Sequence, residues 1–176
     1  MKQKVGNIKN SKDITATQIG TGDSEQEIGA ISESERLQIR QIAADDETLV
    51  EALVLGLDIT RRLGQLSDQD KSDLMRDSLQ FMERTIGQPL ETGIIKKSLR
   101  EVQSQPGVPG ALREVFRDLS VVLSAVSGTL AISQLTDATA ITVGIPAVLS
   151  MTGFLASSKL REIYMWISRR LKALLT

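Results

Sequence analysis

The sequence predicts an all-α protein. It reads as a small helical bundle, then a hydrophobic two-helix hairpin, then an amphipathic C-terminal helix, all behind a disordered or β-forming N-terminal tail. Three observations carry this. Apolar residues recur at three- and four-residue spacing through residues 32–105, the period of a helix with one buried face. Leu119 to Ser158 holds a single charged residue, Asp137, in a chain that is 24% charged. Residues 1–31 are polar, rich in turn formers and poor in aromatics.

The elements follow in order. In residues 1–31, Gly6, Gly20, Gly22 and Gly29 disfavour helix. The polar spacing there reads as disorder in the isolated chain. Residues 32–105 form the predicted bundle. Ser32 and Glu35 have the spacing of a capping box, with Glu35 reaching back to Ser32. Asp45-Asp46-Glu47 places acidic groups where the dipole of a second helix favours them, ahead of the stripe Leu49, Val50, Leu53, Leu57 and Ile59. Ser67-Asp68-Gln69-Asp70 is a further start signal, ahead of Leu74, Met75, Leu79, Met82 and Ile86. Pro89 suits the first turn of a fourth helix, continued by Leu90, Ile94, Ile95, Leu99 and Val102. Residues 106–110, Pro-Gly-Val-Pro-Gly, break any helix and form a linker.

Residues 111–158 are the predicted hairpin. Each uncharged half, on either side of Asp137, has roughly the 18–21 residues that cross a bilayer core of about 30 Å. Ser124 and Gly128, then Ala140 and Gly144, put small residues four apart, a spacing that lets helices approach closely in lipid. Basic residues flank both sides, which predicts two spans with both chain ends in the cytoplasm and Asp137 on the far side. Residues 159–176 form a basic amphipathic helix. Arg161, Tyr164, Trp166, Arg169, Arg170 and Lys172 are its candidate membrane-interface residues. A second reading stays open: a bundle in which the last two helices are central. Ser120, Ser124, Ser127 and Thr129 make the first half only modestly apolar, and Pro146 would kink the second. Between the two lies a helical domain that hides the hairpin until triggered.

Composition excludes several activities. Net charge is −1 and aromatics are 3%, so nothing points to nucleic acid. The chain has no Cys and no His, and so lacks thiolate ligands and the commonest general base. Phosphate-binding loops, dinucleotide fingerprints, zinc motifs and nucleophile elbows are absent from the sequence. No catalytic residue, metal site, cofactor or small-molecule substrate is expected. The first residues carry positive charge with no apolar core behind it, unlike a secretory leader.

The tail holds a compact sequence of its own. Thr17-Gln18-Ile19-Gly20 follows Ile8, Asn10, Ser11 and Ile14. Stacked in register, such chains form Gln ladders and bury repeated Ile in a dry interface. The stretch resembles the receptor-interacting-protein homotypic interaction motif and the related amyloid signalling motifs of fungi and bacteria. That family centres on an aliphatic-Gln-aliphatic-Gly tetrad, matched here by Gln18-Ile19-Gly20. Thr17 stands where the pattern has Val or Ile, and no aromatic follows the tetrad. The resemblance covers residues 5–28. It implies self-assembly through Ile8, Ile14, Thr17, Gln18, Ile19 and Gly20, with a second copy or a partner that bears a similar motif.

Together these features lead to one expectation: a membrane-acting effector of a bacterial-type defence or cell-death system. It would assemble through the tail and permeabilise lipid as a pore-forming protein. It would sit in the membrane, or in the cytoplasm until triggered. The alternative is a non-toxic helical interaction protein, or an adaptor anchored to a membrane.

Overall fold

The structure, a computed structural model, describes residues 31–43, 46–125 and 132–176. It is all-α. The α-helices among the described residues are α1 (Glu33–Ala43), α2 (Glu47–Leu63), α3 (Asp68–Ile86), α4 (Thr92–Gln103), α5 (Gly110–Ala125), α6 (Ile145–Met151) and α7 (Ser157–Leu175). A π-helical turn, Ala140–Gly144, runs directly into α6.

The predicted starts are formed. Ser32 and Glu35 make a reciprocal box: Ser32 N–H donates to Glu35 Oε2 at 3.0 Å, and Glu35 N–H donates to Ser32 Oγ at 3.3 Å. Asp46 caps α2 by accepting from Leu49 N–H at 3.0 Å. Ser67 caps α3 by accepting from Asp70 N–H at 3.2 Å. Each cap satisfies a main-chain donor that the first turn leaves without a partner. Pro89 differs from expectation. It precedes α4, and the connection is tied down where Leu90 N–H donates to Glu83 Oε1 at 3.2 Å.

The π-helical turn and α6 form the centre. Every residue from Ala140 to Ser150 is buried. α5, α3 and α2 pack on the π turn, while α4 and α7 pack on α6. Outside this core, α7 lies along α2 and α3, and α1 closes over α2. One contiguous apolar cluster runs from Ile39 in α1 to Leu171 in α7.

This arrangement corrects the membrane expectation. Among the described residues no helix is long and apolar enough to cross a membrane. The transmembrane and pore-forming assignments, and the membrane localisation, are not supported. The physical reason lies in two stops. Asp137 does not turn a hairpin on the far side of a bilayer. It caps a helical start, with Oδ1 accepting from Ala140 N–H at 2.9 Å. Gly153, at φ +75°, then ends the helix, and Leu155 N–H returns to the carbonyl of Leu149 at 2.9 Å. The apolar helix between these stops is about 20 Å long, well short of a bilayer core of roughly 30 Å. On the N-terminal side, α5 is amphipathic rather than apolar all round. Leu112, Val115, Phe116, Leu119 and Leu123 are buried, while Val121 and Ser124 face outward.

The small residues pack against protein. Gly144 lies against α5, where an added Cβ would come within 3.2 Å of Val115 and 3.3 Å of Leu119. Ala140 is fully buried. Ser124 is exposed and donates its hydroxyl to the Ser120 carbonyl at 2.7 Å, and Gly128 lies outside the described residues.

The proposed headgroup residues are also placed differently. Tyr164 is fully buried, and Trp166 stacks on Phe81 of α3 at a ring separation of 4.7 Å. Arg161 pairs with Glu51 of α2 at 3.2 Å, and Arg170 with Asp77 of α3 at 3.2 Å. Arg169 and Lys172 are exposed. These side chains fasten α7 to the bundle or face away from it.

Candidate functional site

The self-assembly residues Ile8, Ile14, Thr17, Gln18, Ile19 and Gly20 lie outside the described residues. The described residues include a cleft beside α5, a cleft beside α3 and a buried polar latch.

The first cleft has a volume of 440 Å³ and lies beside α5. Val102 at the end of α4, Val108 in the connection and Phe116 on α5 make its apolar floor. Arg113, Arg117, Ser120 and Ser124 follow one another at helical spacing and line one wall. Val121 stands at the rim and is 64% exposed. Gln103 and Gln105 add amides, and among the described residues no carboxylate lines the cleft. Arg113 Nη2 reaches the Val108 carbonyl at 3.4 Å, and Arg117 meets Asp118 at 3.4 Å. Both contacts are long. The cleft therefore presents two cations above an apolar floor.

The second cleft, 500 Å³, lies beside α3. Met75, Leu79, Leu90, Ile132 and Ile141 give it an apolar floor. Its charged groups are already engaged: Arg76 pairs with Asp73 at 2.8 Å, and Glu83 holds the Leu90 N–H.

The latch is Tyr164. Its hydroxyl donates to the Val143 carbonyl at 2.7 Å, inside the core. Burial pushes the phenol pKa far above its usual value, and the nearby Ala147 N–H offsets this only in part. The hydroxyl thus stays a neutral donor, suited to structure and not to proton transfer.

Among the described residues, no group of three or more His, Cys, Asp or Glu is placed to hold a metal ion. Sequence reasoning missed the α5 cleft. The spacing of Arg113, Arg117, Ser120 and Ser124 was a visible signal, but Val102 and Val108 join them only in three dimensions. No match to this chain is found among protein-family models, curated proteins or solved structures.

Proposed function

We propose that the chain is a non-enzymatic interaction protein. The N-terminal segment self-assembles, and the helical body is the module that assembly gathers. The observation that supports this reading is that the described residues open with a cap at Ser32 and share one contiguous apolar core. The resemblance of the Gln18-Ile19-Gly20 stretch assigns the tail to pairing with identical or similar segments, as stacked in-register chains do. Gathering many bodies through their tails raises their local concentration, so weak contacts between bodies become effectively intramolecular. The apolar stretch Ala140–Ser150 serves as core, and the reading assigns it no action on lipid.

The test is fibre formation by the purified full-length chain, followed by thioflavin T fluorescence and electron microscopy. The chain is expected to form fibres. Gln18→Asp and Ile19→Asp, which stack charges in register, are expected to stay monomeric with unchanged helical circular dichroism. Equal fibre formation by both variants contradicts the assigned role of the motif.

A further inference from the structure

We propose that the α5 cleft binds a small phosphate monoester with an apolar body. Arg113 and Arg117 both line the cleft, one helical turn apart, about 6 Å along α5. Their present contacts are weak. Arg113 Nη2 meets the neutral Val108 carbonyl at 3.4 Å. Arg117 meets Asp118 at 3.4 Å, with side chains 70% and 50% exposed. Glu114 and Asp118, the acids of α5, do not line the cleft. Two guanidinium groups match a dianion. A phosphate monoester carries close to two negative charges at neutral pH and offers three acceptor oxygens, enough for both arginine forks. A carboxylate would leave one cation unmatched. Gln103 and Gln105, from the end of α4 and the connection beyond it, add amide donors.

The floor selects the rest of the ligand. Val102, Val108 and Phe116 are apolar and buried, so an organic body gains there what inorganic phosphate cannot. The 440 Å³ volume falls in the range of small-molecule sites, roughly 300–1,000 Å³. Ten residues line the cleft, against the roughly 20–30 that a stable protein interface takes on each side. The α3 cleft is larger but lacks this pairing. Its Arg76 is 2.8 Å from Asp73, and Glu83 adds a carboxylate to its lining. An anion entering it meets a cation already neutralised and a like charge. The inference does not depend on self-assembly by the tail.

The test uses the full-length chain in the Gln18→Asp background, so that fibres do not interfere. Octyl phosphate, kept below its micelle concentration, is titrated by calorimetry and by two-dimensional amide NMR. It is expected to bind at least about 10-fold more tightly than inorganic phosphate, octanoate or octanol. Amide shifts should centre on Val108, Arg113, Arg117 and Val121. Arg113→Gln with Arg117→Gln should weaken binding about 10-fold. Arg169→Gln with Lys172→Gln removes two exposed cations of α7 and should change it less than about 2-fold. Circular dichroism checks that each variant keeps its helices. Inorganic phosphate or octanoate binding as tightly, shifts centred on Met75 and Leu79, or equal loss in the α7 pair would overturn the proposal. Vesicles of phosphatidate and phosphatidylcholine are the last probe. Binding to them without binding to octyl phosphate would overturn a free small-molecule ligand.

Discussion

Tyr164 on α7 donates its hydroxyl to the main-chain carbonyl of Val143 at 2.7 Å, across 21 residues of sequence. The usual helical donor to the Val143 carbonyl, the Ala147 N–H, lies beside the same Tyr164 oxygen. Ile145 N–H bonds back to Ala140, five residues away, and Pro146 has no N–H to give. The local ladder is disturbed in a buried region. Tyr164→Phe should therefore cost about 1–3 kcal/mol, the penalty for stranding a buried acceptor. Urea denaturation measures this, and a loss below about 0.5 kcal/mol contradicts it.

Gly56 gives the Tyr164 ring its place. A Cβ at Gly56 would lie 2.8 Å from Tyr164 Cε2 and 3.0 Å from Cζ. Ala is the better helix former by about 1 kcal/mol, but here the ring is buried and anchored, so the clash outweighs that gain. Gly56→Ala should lower stability by about 1–2 kcal/mol. Gly93→Ala in α4, where an added Cβ meets nothing within 4 Å, should raise it by up to about 1 kcal/mol. Two shifts of the same sign would count against this account.

Val148 and Val121 both belong to the uncharged stretch, but only one is in the core. Val148 is fully buried, and Val121 is 64% exposed. Val148→Asp should abolish cooperative unfolding, because it places an unpaired carboxylate among apolar groups at a cost above about 4 kcal/mol. Val121→Asp should change stability by less than about 0.5 kcal/mol. Thermal unfolding followed by circular dichroism separates them, and equal loss in both contradicts the assigned burial.

Glu35 should make stability depend on acid. Burial alone would raise its carboxyl. The main-chain and hydroxyl bonds from Ser32, with the Arg61 guanidinium 2.9 Å away, outweigh this and hold it below the ordinary value of 4.5. A carboxyl lowered in the folded state adds stability above its unfolded pKa and loses it as pH falls through the folded one. The stability gap between the native chain and Glu35→Gln should be full at neutral pH. It should begin to close near pH 4.5 and vanish once the folded-state carboxyl is protonated. A gap that stays constant throughout this descent would show that the ion pair and the cap are not the source.

Helix starts were legible because capping is local. Ser32, Asp46 and Ser67 each need only their own first turn. The fate of Ala138–Ser158 was not, because a helix apolar on every side suits a membrane and a protein centre equally. Length decides between them, and it is set by Asp137 as a cap and Gly153 as a stop. Neither role is visible in charge or hydropathy. Tyr164 and Trp166 misled for a similar reason. An aromatic beside basic residues fits a headgroup layer, but it also fits a helix whose arginines pair outward with Glu51 and Asp77 while its rings turn inward. Of the α5 cleft, only the wall formed by one helix could be read from spacing.

The central claim is that Ala140–Ser150 is the core of a helical body and not a span awaiting lipid. Amide hydrogen exchange of the full-length chain in plain aqueous buffer tests it most directly. The account predicts that residues 140–150 exchange slowest in the chain, at the rate of global unfolding, with no change when lipid vesicles are added. Fast exchange of this stretch in buffer, with protection that appears only on adding vesicles, would contradict it.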